Sequence, residues 1–330
     1  MSARGLSRRR VLTILAASAA LPVGIAGLRM FGPQPTFHDW QGEALGAQAS
    51  MRLWHANGDH ARRTLARMTA EVQRLENIFS LYRAESELSR LNRDGVLQGA
   101  SPALRDVLDY ALALAAASNG AFDPSVQPLW TLYERHFSRP DASPAGPAAL
   151  ERDHARGLVD YRAIDLAGRN LRLGTPGMAL TLNGIAQGYV TDVIADLLRN
   201  EGFDHAVVAM GETRVLGTHP EGQPWRVGLR DSSGHVGRVL ELANQASATS
   251  GGYGTVFDPS GQHHHIFDPA TGGSAHRLTE AVVTAPRAMV ADALATALVV
   301  AGADRAPAIL ASVPGARAIL TRPNGETVML

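Results

Sequence analysis

The sequence predicts an α+β fold, a single mixed α/β domain that follows an N-terminal targeting segment. Helical and strand-like patterns alternate irregularly, without the strict βαβ spacing of a doubly wound parallel sheet. Hydrophobic residues make up 45% and charged residues 19% of the 330 residues, which favours a sizeable core and argues against global disorder. We place the targeting segment at residues 1–30 and the folded domain at residues 36–330.

Composition excludes several classes of function. The formal net charge is zero, so nothing favours nucleic acid as a partner. All 31 basic residues are arginine, which rules out a lysine as phosphate anchor or Schiff-base nucleophile. Cysteine is absent, and disulfides, thiolate metal sites and lipid-modified cysteine are therefore excluded.

The first 30 residues have the pattern of an export signal. Arg8 and Arg9 stand before an apolar run at residues 11–28, as in a signal peptide of the twin-arginine route, which exports folded proteins. We therefore expect a periplasmic protein that uses the twin-arginine export machinery. The run is marginal against the roughly 20 apolar residues that a spanning helix needs. Because residues 24–26 lack a clean small-x-small cleavage site, an uncleaved membrane anchor remains an alternative.

Two helices and a loop are predicted in the first half of the domain. Apolar residues recur at helical spacing through residues 60–79, which predicts an amphipathic helix that ends near Ser80. A second helix is expected at residues 102–118, opened by a Ser-Pro pair and closed by Asn-Gly. The Pro- and Ser-rich stretch at residues 138–147 predicts a mobile loop.

The second half of the domain alternates between strands and helices. We predict strands at residues 178–182, 205–210, 225–230, 238–242 and 263–267. Helices are expected at residues 185–199 and 288–301, and a final hairpin around residues 323–325.

Two glycine segments lie where a strand meets a turn. Residues 181–189 read TLNGIAQGY, in which glycines let the backbone approach a ligand and the following helix N-terminus suits a phosphate. Packing alone would also explain these glycines. Residues 248–253 read ATSGGY, a strand end that turns through two glycines with hydroxyl groups in front.

Three adjacent histidines open the segment HHHIFDPATG at residues 263–272. In a strand, His263 and His265 would face one side and His264 the other. A Zn²⁺ or Cu²⁺ site is one interpretation, but only two of the rings can converge and no partner lies at metal spacing. A single histidine that acts as a base is the better interpretation.

Asp292 and Thr296 lie four positions apart in the predicted helix at residues 288–301, and so on one face of it. A carboxylate beside a hydroxyl offers the hard oxygen ligands that suit Mg²⁺ bridging a phosphate. The alternative is a helix cap, because Asp and Thr near a helix start often accept hydrogen bonds from free N–H groups.

These segments together resemble the FAD:protein FMN transferases, the ApbE or flavin transferase family, from about residue 42 to residue 298. Further matching stretches are FSLYR at 79–83, SELSRLN at 86–92, GAFDP at 120–124, MGETR at 210–214 and WRVGLR at 225–230. Residues 180–188 and the twin-arginine signal are similar to the NosX-like branch. That branch serves nitrous oxide respiration by flavinylating the membrane protein NosR.

The resemblance implies a reaction in which FAD is the substrate and FMN passes to a Thr or Ser of an acceptor protein, here NosR-like, with release of AMP. It implies that Mg²⁺ binds the Gly184 carbonyl and the side chains of Asp292 and Thr296. His265 matches the family's catalytic histidine. The implied flavin and adenosine contacts are Tyr82, Ala121, Phe122, Asp123, Thr181, Gln187 and Ile266.

Four positions depart from the family's pattern. The family commonly has Met at position 45, Asp at 181, Lys or Glu at 187 and Asp at 252, where this chain has Leu45, Thr181, Gln187 and Gly252. We interpret positions 181 and 187 as altered FAD contacts.

Charge neutralisation and two other functions remain open. Without lysine, the pyrophosphate must be neutralised by the metal or by arginines such as Arg83, Arg214 and Arg230. The alternative functions are a Mg²⁺-dependent FAD pyrophosphatase and a non-catalytic periplasmic flavin-binding assembly factor.

Overall fold

The computed structural model describes residues 34–168, 170–230 and 235–330, together with a two-residue strand, β1, at Thr13–Ile14. The targeting segment predicted at residues 1–30 otherwise lies outside the described residues. Among the residues that are described, no helix is both long enough and apolar enough to cross a membrane.

The centre of the molecule is an antiparallel sheet of eight strands in the order β16-β15-β14-β11-β8-β7-β3-β2. Strand β9 pairs with β1 and β10, β4 and β5 flank β6, and β12 pairs with β13. The strands are β2 Thr36–Ala44, β3 Ala47–His55, β4 Val96–Leu97, β5 Ile164–Asp165, β6 Leu171–Leu173, β7 Ala206–Ala209, β8 Thr213–Leu216, β9 Trp225–Arg230, β10 Val236–Leu242, β11 Ala246–Gly251, β12 Phe267–Asp268, β13 Gly273–Ser274, β14 Glu280–Ala285, β15 Arg317–Thr321 and β16 Thr327–Met329.

Helices pack on the sheet, and α7, which is apolar along most of its length, lies buried between α6 and strands β11 and β14. The helices are α1 Gly58–Phe79, α2 Glu87–Asp94, α3 Pro102–Ala117, α4 Gln127–Phe137, α5 Ala149–Arg156, α6 Ala186–Asn200, α7 Ala288–Ala301 and α8 Ala306–Leu310. Short 3₁₀ turns occupy Tyr161–Ala163 and Gly252–Gly254. This arrangement confirms the predicted mixed α+β fold.

The helix predictions hold because their signals are local. Helix α1 buries one ridge against the core and ends at Ser80. Helix α3 begins at Ser101, whose hydroxyl accepts a hydrogen bond from Leu104 N at 3.2 Å. Helices α6 and α7 and the hairpin β15–β16 lie where the periodicity and turn residues predict them.

Two predicted strands are wrong. At residues 178–182 no ladder forms, because the side-chain amide of Asn92 takes the place of a partner strand. It accepts a hydrogen bond from Leu180 N at 2.7 Å and donates one to Leu180 O at 2.8 Å. At residues 263–267 an isolated bridge between Val256 and His264 precedes β12, which begins at residue 267. The backbone groups of this segment are divided between side chains and scattered backbone partners such as Thr255 O, which His265 N contacts at 3.1 Å, so no regular ladder forms.

Candidate functional site

A cavity of about 280 Å³ opens where α6 begins and β11 ends, beside α7. It brings together the residues that the sequence assigns to catalysis, flavin binding and metal binding, although these residues are spread over more than 200 positions. The lining includes Tyr82, Ala121, Phe122, Asp123, Thr181, Gly184, Gln187, His265, Ile266, Asp292 and Thr296. Their placement makes this cavity the candidate site.

One wall of the cavity is helical, formed by α7, α6 and the turn at residues 182–185. Glycine is required at both close approaches between these elements. A Cβ on Gly188 would collide with the carbonyl oxygen of Ala288, and one on Gly184 would lie 2.8 Å from Thr296 Oγ1. The two glycines of the segment at residues 181–189 therefore set how closely α6 and its preceding turn approach α7.

Asp292 is a buried carboxyl group on this helical wall, with 3% of its surface exposed. It accepts a hydrogen bond from Gly188 N at 3.0 Å, so it caps α6 rather than its own helix. Burial raises the pKa of Asp292 to about 7, against the opposing effect of that hydrogen bond. Within the described part of the chain no arginine forms a salt bridge with it. The capping and metal-binding interpretations are therefore compatible.

The donors around Asp292 fit a hard divalent cation. Thr296 Oγ1 lies 3.2 Å from Ser250 Oγ, which adds a second hydroxyl to the same side of the cavity. The described residues that line the cavity include the acids Asp123, Glu212 and Asp292 but no arginine. An oxygen-rich, acidic site suits Mg²⁺, which would also offset the charge of an anionic substrate.

The three histidines take three different environments. The His263 ring packs against Tyr133 and Phe137 with centroid separations of 5.6 and 5.0 Å, away from the cavity. His264 is buried, and its Nδ1 accepts a hydrogen bond from Ile266 N at 3.3 Å. Burial lowers the pKa of His264 to about 4.

His265 lines the cavity, whereas His263 and His264 do not. Its Nδ1 lies 3.0 Å from Thr255 O and 3.2 Å from Thr255 N. Nδ1 accepts from Thr255 N in one tautomer and donates to Thr255 O in the other, and the second tautomer leaves the lone pair on Nε2, the form that a general base requires. Among the described residues, no three His, Cys, Asp or Glu side chains are grouped to hold a metal ion. The structure thus offers no support for the Zn²⁺ or Cu²⁺ interpretation.

The carboxylate of Asp123 fixes the shape of the cavity wall formed by residues 121–123. Asp123 accepts hydrogen bonds from Ser125 N at 2.8 Å, from Ser125 Oγ at 2.6 Å and from Tyr161 N at 3.1 Å. Burial nevertheless raises the pKa of the Asp123 carboxyl. The carboxylate holds the loop, while Phe122 is buried and the largely exposed ring of Tyr82 lines another part of the cavity.

Two buried polar atoms in the lining point to a bound ligand. Gln187 Nε2 and Ser247 Oγ have no hydrogen-bond partner among the residues described. Leaving such groups unpaired is costly, so a ligand that bonds to them would be stabilised. Gly211 adopts φ 100°, and a Cβ there would lie 2.6 Å from Gln187 Cδ, which explains why glycine stands beside this amide.

The structure places two of the three arginine candidates in ion pairs with acidic side chains. Arg214 is buried in ion pairs with Asp192 at 2.9 Å and Asp196 at 2.8 Å, outside the cavity. Arg83 pairs with Glu76 at 2.6 Å, and the side chain of Arg230 is not among the described parts.

Sequence reasoning also missed Ser250 as a partner of Thr296, although its segment carried the signal of hydroxyls before a glycine turn.

Comparison with known proteins finds the ApbE family over residues 45–320. The FAD:protein FMN transferase of Vibrio cholerae is 32% identical over 247 residues, which cover 72% of this chain and 73% of the relative. The protein of the same name from Treponema pallidum is 32% identical over 279 residues, covering 77% and 75%.

Comparison with solved structures finds the same family. The ApbE protein of Thermotoga maritima matches with a TM-score of 0.76 at 26% identity, covering 89% of this chain and 97% of that one. The apo form of flavinyl transferase ApbE from Pseudomonas stutzeri matches with a TM-score of 0.74 at 25% identity, covering 92% and 97%.

Proposed function

This chain belongs to the ApbE family of FAD:protein FMN transferases, and from that membership we propose that it transfers FMN from FAD to a Thr or Ser hydroxyl of an acceptor protein in a Mg²⁺-dependent reaction. The observation that carries the proposal is one cavity that holds both a buried carboxylate, which has no cationic partner among the residues that the structure describes, and a histidine with its Nδ1 against a backbone carbonyl. The carboxylate of Asp292 suits a metal ligand, and the imidazole of His265 suits a general base.

Asp292, Thr296 and the Gly184 carbonyl would hold the Mg²⁺ ion, with Ser250 Oγ as a neighbour of Thr296. When bound, Mg²⁺ supplies positive charge that polarises the pyrophosphate and stabilises the AMP leaving group. No arginine is present among the described lining residues, so the protein itself offers little other positive charge there. Tyr82, the loop at residues 121–123, Thr181, Gln187 and Ile266 would bind and orient FAD.

The proton of the acceptor hydroxyl passes to His265 Nε2. The acceptor oxygen forms a bond to the phosphorus of the FMN moiety while the P–O bond to AMP breaks, so that the products are a phosphoester-linked flavin and AMP. Thr255 holds the imidazole ring through Nδ1, which fixes the direction of Nε2. The buried Ile266 and Phe122 add apolar surface to the lining of the same cavity.

Incubating the protein with FAD, Mg²⁺ and an acceptor peptide tests this function. We expect flavin fluorescence on the acceptor and AMP release in equal amounts, and neither product in the presence of EDTA. Release of AMP and free FMN at the same rate without acceptor would instead identify an FAD pyrophosphatase. Flavin binding without AMP release would identify a carrier.

We further propose that the protein acts in the periplasm on a NosR-like membrane protein of nitrous oxide respiration. The support is the paired arginines at positions 8 and 9 and the resemblance of residues 180–188 to the NosX-like branch. Replacing Arg8 and Arg9 by lysine should leave the protein in the cytoplasm. An unchanged periplasmic yield would contradict twin-arginine export. The acceptor is tested separately in a strain from which this protein has been deleted, where a NosR-like protein without covalent flavin would support its assignment as the acceptor.

A further inference from the structure

Helices α6 and α7 cap each other through one aspartate each. Asp192 on α6 accepts hydrogen bonds from Ala288 N at 2.9 Å and Met289 N at 3.0 Å, the first two N–H groups of α7. Asp292 on α7 accepts one from Gly188 N in the first turn of α6. In the described chain neither helix has a capping side chain at its own N-cap position. Each helix start therefore depends on the other helix.

Asp192 is held in place by opposite charges. It is fully buried, and Arg214 Nη1 lies at 2.9 Å and Arg287 Nε at 3.3 Å. Asp196, one turn further along α6, bonds to the same two arginines at 2.8 and 2.7 Å but does not cap α7. The two aspartates thus share their ion pairs and differ in the cap.

This reciprocal capping fixes the register of the helical wall. Gly188 has no room to move against Ala288, because even a Cβ would collide there. Gly184 lies two residues before α6, and Asp292 and Thr296 follow on the next turns of α7. A slip of α7 along α6 would therefore change the spacing between Gly184 and both α7 side chains.

We propose that Asp192 is a positioning residue for the divalent-cation site. By holding the first turn of α7, it sets Asp292 and Thr296 against the Gly184 turn, without itself contacting the cation or the substrate. The inference rests on the proposed Mg²⁺ site and adds a residue to which neither the sequence pattern nor the cavity lining assigns a role.

The test compares Asp192→Asn with Asp196→Asn in the full folded domain. Each variant removes one negative charge from the same arginine pair, but the first also weakens the cap on α7. We expect Asp192→Asn to weaken Mg²⁺ binding, measured by calorimetry without FAD, by about 10–100-fold, as for other residues that orient metal ligands. Asp196→Asn should change Mg²⁺ affinity by less than about 3-fold, which is an effect typical of a partly exposed ion pair. In both variants the affinity for FAD should change by less than about 3-fold.

Circular dichroism and thermal unfolding show whether each variant folds. Where Asp192→Asn does not fold, Asp192→Glu keeps the charge and lengthens the side chain by one methylene group, and it should still weaken Mg²⁺ binding. Equal losses of Mg²⁺ affinity in the Asp192 and Asp196 variants would overturn the proposal in favour of a general charge effect. Unchanged affinity in Asp192→Asn would overturn it while leaving the proposed function standing. Wild-type protein that binds no Mg²⁺ would overturn both.

Discussion

Two walls of the cavity, one helical and one made of loop, are built in different ways. The helical wall, α6, α7 and the turn at residues 182–185, places Asp292 and Thr296 by the helical repeat. Only its helix starts depend on side chains, because Asp192 and Asp292 accept hydrogen bonds from backbone N–H groups there. The loop wall, residues 251–268, contains little regular structure and places His265 through bonds between side chains and backbone. A regular element transmits position along its own backbone, whereas an irregular segment depends on individual side chains.

Particular bonds make up the loop wall. Asp258 Oδ1 accepts a hydrogen bond from His263 N at 2.7 Å, and Ser274 Oγ accepts one from His264 N at 2.8 Å. The ring of His264 occupies the space beside Gly252, where a Cβ would lie 2.7 Å from the ring. The space that the family's aspartate would take at position 252 is therefore filled by His264 in this chain. The two walls should consequently respond differently to substitution.

The largest effect is expected on the helical wall. Asp292→Ala removes the buried carboxylate but only one capping bond, which is worth about 1 kcal/mol, so the fold should persist. Transfer should fall by at least about 10³-fold, because metal charge stabilisation contributes several kcal/mol. Single-turnover formation of fluorescent acceptor at limiting Mg²⁺ measures it. Near-normal activity in this variant would remove Asp292 from the metal site.

On the loop wall, His265→Ala should slow transfer by about 10²–10⁴-fold, the usual value of general-base help, while FAD binding persists. The matched control is His263→Ala, since that ring packs outside the cavity and should affect the rate little. From the sequence alone, His264→Ala would also be expected to leave the transfer rate unchanged. His264 is buried, however, so its removal would leave a cavity in the packing. A damaging His263→Ala would require the base to be reassigned.

A substitution at position 252 tests the side-chain packing of the loop wall. Gly252→Asp restores the family's usual residue but drives its Cβ into the His264 ring, and we expect a loss of about 1–3 kcal/mol in the free energy of unfolding. Urea unfolding measures it. In a His264→Ala background the same substitution should cost clearly less. Equal costs in both backgrounds would mean that the two residues do not interact.

The smallest expected effect is on stability against pH, and it has opposite signs for the two walls. His264 has a folded pKa of about 4 against about 6.5 unfolded, so its contribution is present above pH 6.5 and lost as the pH falls towards 4. Asp292 has a raised folded pKa of about 7, so its contribution is present at low pH and lost as the pH rises through 7.

The free energy of unfolding at pH 5.5, 6.5 and 7.5 without Mg²⁺ separates the two contributions. Relative to the wild type, His264→Gln should remove a slope that rises with pH, and Asp292→Asn should remove one that falls with pH. Each slope should be at most about 1.4 kcal/mol per pH unit. Slopes of the same sign would contradict the assigned environments.

The parts of the fold that the sequence predicted are those with local signals. The apolar repeat of α1, the Ser-Pro start of α3 and the spacing of Asp292 and Thr296 on α7 each depend on residues within a few positions of one another. The motif residues of the site were also identified in advance, because each belongs to a short segment with a recognisable pattern. Their gathering around one cavity followed from the tertiary structure.

The sequence by itself determined the fold class, helices α1, α3, α6 and α7, and eleven of the residues that line the site. Only the tertiary structure decided that Asn92 replaces a strand partner at Leu180, that the three histidines diverge, and that Asp192 and Asp292 cap each other's helices. The physical reason is the range of the interactions. Helical hydrogen bonds join residues four apart, which a periodic pattern records, whereas these side-chain bonds join backbone groups as many as 104 positions away, which no local pattern records.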